Sequence, residues 1–240
     1  MTEISVLASG SSANGYVVQT GNEAIVIECG CPLLDCEKIV DFTLEKIKGV
    51  LLSHCHADHA RHAKEYARSA LQVYSSKSTL DAIGVQGTPM QPLQAYRLGG
   101  FRVMPFLVQH DAPDPYGFLV DCTDGNRIVF ATDTYYLKYT FTGVTCFMIE
   151  CNYAEKVLAR NVAQNLVHPV VARRTTKSHM SLSQCVKTLQ ANDLTKTTAI
   201  MLLHPSKDNS AQEQLTVDTV AKATGRMVYV AKKGFNLTLF

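Results

Sequence analysis

The sequence predicts an α/β protein of the α+β kind, with strand-rich sheets and helices packed outside them. Three observations carry this. The N-terminal and middle parts are short apolar runs separated by turn dipeptides. The last third alternates helical and strand-like segments. No low-complexity linker, Pro/Gly-rich boundary or internal repeat interrupts the 240 residues, so residues 1–240 read as one domain.

The elements follow in order. Ile4 to Ala8 is a short apolar strand, and Ser9 to Gly15 is a small-residue loop. Tyr16 to Gln19 and Ala24 to Glu28 flank the Gly21-Asn22 turn, the pattern of a hairpin. Leu33 to Leu44 has helical spacing, and Gly49 to Ser53 reads as a buried strand. Ala57 to Leu71 is rich in good helix formers. Phe101 to Val108, Gly117 to Cys122, Arg127 to Ala131 and Thr145 to Ile149 are strands, the third reached through the Asp124-Gly125 turn. Helices are expected over Ala154 to Leu166, Ser181 to Ala191 and Ala211 to Ala223. Strands are expected over Thr198 to Leu203 and Met227 to Val230.

Composition narrows the function classes. Hydrophobic residues make up 46% and charged residues 18%, ordinary for a globular protein and too apolar for disorder. A net charge of +2 is low for a protein that grips long nucleic acid by charge alone, though it leaves room for a local basic patch. The start, Met1 to Leu7, is neither basic nor sustainedly apolar, and the apolar runs are strand-sized, so neither a leader nor a membrane span is expected. The eight cysteines read as reduced, mostly buried thiols of a cytoplasmic protein. Cys29-x-Cys31 is too tight for a common zinc knuckle.

The chemistry concentrates in Ser53-His54-Cys55-His56-Ala57-Asp58-His59, after a strand and before a helix. Residues two apart in an extended segment point the same way, so His54 and His56 can face one metal. The turn into the helix lets Asp58 and His59 reach a second position. Imidazole nitrogen and carboxylate oxygen suit Zn²⁺, and also Mn²⁺ or Fe. His110, Asp133 and His204 each follow a predicted strand, where α/β proteins place their chemistry. Together these supply seven ligands, enough for two metals.

The HxHxDH pattern, with His110, Asp133 and His204, resembles the metallo-β-lactamase-fold hydrolases over nearly the whole chain. The resemblance implies a four-layer αβ/βα sandwich with the metals at one edge. His54, His56 and His110 would hold the first metal, Asp58, His59 and His204 the second, and Asp133 would bridge them. Leu7 to Asn14, Gln109-His110-Asp111-Ala112, Ala131-Thr132-Asp133-Thr134, Ser178-His179-Met180-Ser181 and Leu203-His204-Pro205-Ser206 are similar to a narrower bacterial and phage subgroup. That subgroup is related to a DNA exonuclease encoded beside a cell-wall two-component system. Glu28 departs from the superfamily's usual aspartate, and Cys55 stands where a charged or polar residue is common.

The resemblance implies a dinuclear hydrolase using two divalent ions, Zn or Mn, in which a hydroxide between the metals attacks a phosphodiester of nucleic acid. The alternative is a cyclic nucleotide or another small phosphodiester. Asp58 would ligate a metal and orient the hydroxide. His179, just before a helix, is either a proton donor to the leaving oxygen or a cap-region histidine. Arg174 and Lys177, with Arg173, form a basic cluster that either holds phosphate or is a solvated loop. His62 and His168 have no visible role. Tyr135 and Tyr136 either line the pocket or pack.

Overall fold

Alternation along the strands sorts the apolar side chains into three layers. In the computed structural model, which describes residues 1–240, Ile25 and Ile27 face one layer while Ala24 and Val26 face another. Ile128 and Phe130 likewise share the first layer, and Val129 and Ala131 turn to a third. The shared layer draws on both halves of the chain and is the space between two sheets. The other two lie beneath helices, through Leu33, Ala63 and Tyr66 on one side and Met180, Cys185 and Val220 on the other. This is the expected four-layer αβ/βα arrangement.

The first sheet begins with β1 (Thr2–Ala8), β2 (Gly15–Thr20), β3 (Glu23–Ile27), β4 (Ile47–Leu51), β5 (Val73–Ser75) and β6 (Thr88–Pro89). The second contains β7 (Tyr96–Leu98), β8 (Phe101–Leu107), β9 (Tyr116–Asp121), β10 (Arg127–Ala131), β11 (Cys146–Glu150), β12 (Ala199–Leu203) and β13 (Met227–Val230). The chain then returns, and β14 (Asn236–Leu239) pairs with β1 at the edge of the first sheet. The orders are β14-β1-β2-β3-β4-β5-β6 and β13-β12-β11-β10-β9-β8-β7. Each sheet is antiparallel on one side and parallel on the other, the parallel parts being β3 to β6 and β10 to β13. The expected hairpin is β2 and β3, in the register Tyr16 opposite Ile27.

The helices are α1 (Leu33–Ile39), α2 (Ala57–Ala60), α3 (Ala63–Arg68), α4 (Lys77–Ile83), α5 (Glu155–Ala163), α6 (Pro169–Ser178), α7 (Leu182–Gln190) and α8 (Glu213–Thr224). None is long and apolar enough to cross a membrane.

Two expected helices are shorter than their periodicity suggests. The Leu33 to Leu44 helix stops at Ile39, because Asp41 and Phe42 take positive φ values of 53° and 56°. The Ala57 to Leu71 helix splits into α2 and α3. The carbonyls of Asp58 and His59 accept from the N–H groups of Asn14 and Cys29 at 2.8 and 2.7 Å, and His62 N–H donates to Cys29 O at 2.9 Å. Tertiary partners thus take hydrogen bonds that a continuous helix would use. Gly30 permits this approach, since a Cβ there would stand 1.9 Å from Asp58 O. The strand expected over Gly49 to Ser53 runs from Ile47 to Leu51, leaving Ser53 beyond its end.

Candidate metal centre

Most of the chemically loaded segments lie at or just past the end of a strand on the parallel side of a sheet, and His110 follows β8 on the antiparallel side. Glu28 follows β3, residues 53–59 follow β4, Asp133 follows β10, Glu150 ends β11 and His204 follows β12. Glu28, Asp133 and His204 have positive φ values of 72°, 48° and 51°. Non-glycine residues rarely hold this conformation, and it costs on the order of 1–3 kcal/mol each.

The seven residues expected from sequence converge as two sets that share Asp133. In the first, His56 Nδ1 lies 3.1 Å from both His54 Nε2 and His110 Nε2. Asp133 Oδ2 is 3.6 Å from His54 Nε2 and 3.5 Å from His110 Nε2. In the second, His59 Nε2 is 3.2 Å from Asp58 Oδ2 and 3.2 Å from Asp133 Oδ2, and His204 Nε2 is 3.5 Å from Asp58 Oδ2. Within each set the donor atoms all lie within 4.8 Å of one another.

These spacings fit divalent ions. Ligands about 2.0–2.1 Å from a tetrahedral zinc stand roughly 3.3 Å from each other. Two further observations agree. His204 Nε2 is buried without a hydrogen-bond partner, although buried polar atoms are nearly always paired. His110 Nδ1 faces Ser178 O at 2.9 Å, and a carbonyl can only accept, so Nδ1 carries the proton and Nε2 offers its lone pair to the cluster.

The surroundings set the charges. Burial alone would push the Asp133 carboxyl up, but the His204 and His59 imidazoles around it hold it well below the usual range. Asp58 is lowered too, since the His204 and His59 imidazoles beside it outweigh its burial. Burial, with His59 as neighbour, pushes His54 well below the ordinary imidazole value and keeps its ring neutral. Burial opposes charge on His204, yet Asp133, Asp58 and Glu150 push it up to about 10. A cation would take the place of that proton.

Outer partners orient the set. Ser53 Oγ is 2.8 Å from His54 Nδ1. Glu28 is wholly buried, with Oε2 3.5 Å from His59 Nδ1 and Oε1 unpartnered. Its longer side chain therefore still reaches behind His59. Asn14 Nδ2 lies 3.3 Å from Asp58 Oδ2 and 3.0 Å from His59 Nε2. The Ser9 to Asn14 loop thus meets the site through a side chain.

His179 stands at the C-terminal end of α6. Its ring stacks on His204 with centroids 5.3 Å apart and planes at 12°, and its Nδ1 is 2.7 Å from Glu150 Oε1. Glu150, fully buried, also accepts from the N–H groups of Thr134 and Met180 at 2.7 and 3.1 Å. One carboxylate thus ties His179 to the loop carrying Asp133. Sequence reasoning missed Glu150. Its signal was a lone acid closing the apolar run Cys146 to Ile149.

A cleft of about 400 Å³ opens over the cluster, with Val171, Arg174, Thr175 and His179 on its α6 side. Arg174 Nε donates to Asp111 Oδ2 at 3.0 Å, and Asp111 Oδ1 lies 3.3 Å from His110 Nε2. Lys177 is exposed on the same helix and does not line this cleft, and Arg173 lines a separate hollow. The basic cluster is therefore helical, and only Arg174 faces the metal-type ligands. Tyr135 and Tyr136 are both about half exposed and outside the cleft lining.

Fold and site together define a metallo-hydrolase of the metallo-β-lactamase fold. Residues 32–204 match the family described as the Beta-lactamase superfamily domain, and the chain belongs to it. The metallo-β-lactamase-fold protein YhfI from Bacillus subtilis superimposes with a TM-score of 0.75 over 99% of this chain and 100% of its own, at 17% identity. Two curated relatives bear out the narrower resemblance. The chain is 26% identical to Exodeoxyribonuclease YycJ of Bacillus anthracis, over 92% of this chain and 89% of that one. It is 24% identical to Exodeoxyribonuclease WalJ of Streptococcus pneumoniae, over 87% and 83%.

Proposed function

We propose that residues 1–240 form one cytoplasmic hydrolase domain that cleaves phosphodiester bonds of nucleic acid, as an exonuclease, with two divalent ions. The observation that carries this reading is the pair of ligand sets sharing Asp133 beside a histidine held by a buried carboxylate. The relatives named as exodeoxyribonucleases support the choice of substrate.

In this reading His54, His56 and His110 would hold one ion and Asp58, His59 and His204 the other, with Asp133 available to both. Zinc or manganese held there would supply Lewis acidity, both to water and to the phosphoryl oxygens. The chain's own residues do the rest. Asp58, anchored by Asn14 and its histidine neighbours, orients the attacking water. Glu150 accepts a hydrogen bond from Nδ1–H of His179 and favours the doubly protonated ring, so that Nε2–H is free to deliver its proton to the departing oxygen. Arg174, at the mouth of the cleft, holds a phosphate oxygen, and Asp111 restrains it. Lys177 contacts the substrate farther out on α6.

The test follows linear duplex DNA with Mn²⁺- or Zn²⁺-loaded protein, with Asp58→Ala and a cyclic-nucleotide panel in parallel. Shortening of DNA from its ends by the wild type alone is expected. Intact DNA with opened cyclic nucleotides would replace this reading with a small-molecule phosphodiesterase.

A further inference from the structure

A second cleft, also of about 400 Å³, lies on the other side of the Ser9 loop. Ser9, Ser206, Lys207, Ser210, Lys232 and Lys233 line it, with Cys151 among its walls. Its charge is one-sided: three lysines face a single carboxylate, Glu213. Lys232 pairs with Glu213 at 2.5 Å, and Lys207 and Lys233 have no such partner. Glu213 also begins α8, whose N-terminus has no side-chain cap and leaves its first N–H groups available to an anion. The hydroxyls of Ser9 and Ser206 and the ammonium groups of Lys207 and Lys233 together form a lining suited to phosphate oxygens.

Position links this cleft to the chemistry. Ser9 Oγ accepts from the N–H of His204 at 2.9 Å, and Pro205 and Ser206 in the cleft wall directly follow His204. Ser11, two residues past Ser9, lines the cleft over the metal-type ligands. The lysine cleft therefore borders the Asp58, His59 and His204 set, whereas Arg174 borders the His110 side. A strand lying across the site would meet cationic groups on both flanks.

We propose that this second cleft binds backbone phosphates of the nucleic-acid strand away from the bond being cut. The proposal rests on the nuclease reading and adds a binding site to it. It reconciles a net charge of +2 with a polyanionic substrate, because cations are placed along the strand's path rather than spread over the surface.

The test compares the wild type with K207A/K232A/K233A and with a control, K38A/K64A/K77A, which removes three exposed lysines elsewhere. Each is assayed for hydrolysis of bis(p-nitrophenyl) phosphate, and for affinity to a fluorescent DNA oligonucleotide across a salt series. The cleft variant should cleave the small diester like the wild type. It should bind DNA on the order of tenfold more weakly, with a log–log salt slope shallower by about 2. The control should match the wild type. Unchanged DNA affinity and slope in the cleft variant would overturn the proposal while leaving the nuclease reading intact, as would equal losses in cleft variant and control. A wild type that cleaves the small diester but neither binds nor degrades DNA would overturn both.

Discussion

Glu150 Oε1 lies 2.7 Å from His179 Nδ1, a wholly buried carboxylate against a partly exposed imidazole. The pair gives the histidine one orientation and keeps Nδ1 protonated, and the same carboxylate receives the backbone N–H groups of Thr134 and Met180. His179→Ala should lower kcat on a phosphodiester by about 10²–10⁴ while metal content stays at the wild-type level. Metal analysis beside steady-state kinetics checks this. Loss of bound metal in His179→Ala would make His179 a ligand instead.

Asp133 is the one side chain common to both ligand sets. Asp133→Asn should therefore reduce bound metal below that of the wild type and abolish hydrolysis together. Asp58→Ala should weaken one site and keep the other. Elemental analysis of dialysed protein distinguishes the two patterns.

Chelation should destabilise the protein. An ion at 100 times its dissociation constant contributes about 2.7 kcal/mol through linkage. For a chain of this size that corresponds to a fall in Tm of roughly 5–10 °C on removal. A thermal melt with and without chelator, reversed by added Mn²⁺ or Zn²⁺, reads it.

Gly30→Ala should damage the site from behind. The new Cβ would meet backbone, Asp58 O and Asn14 N, so no flexible side chain can yield to it. A loss of about 1–3 kcal/mol is expected, with metal affinity falling as Asp58 shifts. Denaturant unfolding with metal titration tests both parts.

Seven of the eight cysteines are buried and one, Cys55, is partly exposed. Burial pushes the Cys146 thiol up to about 12. Alkylation of the native protein should thus modify Cys55 first and the others only on unfolding, as peptide mapping would show.

Much of this arrangement was legible in the sequence, for a physical reason. A metal needs particular side chains at strand ends, and His54 to His59, His110, Asp133 and His204 announce both. Partners that act through orientation are harder to see. Glu150 looks like the polar end of a strand, and Asn14 like a turn residue. Helix α6 was hidden by its polar, exposed sequence, although His168 and Pro169 mark its start: His168 Nδ1 accepts from Val170 N–H, and proline occupies the first turn. Helix α4 carried its own signals too, a Ser76 cap and a left-handed Gly84 at its end. Strands β5, β6 and β7 are too short for alternation to declare itself. The break between α2 and α3 depends on residues distant in sequence, which periodicity does not report.

The bond from His204 N–H to Ser9 Oγ joins positions 195 residues apart. Closing a loop of that length costs entropy before any contact repays it, so such contacts belong to the late stages of folding. The working centre is accordingly complete only when both the N-terminal and the C-terminal parts of the chain are in place. A nascent or half-folded chain has its histidines but not their arrangement, and hydrolytic competence arrives only with the finished fold.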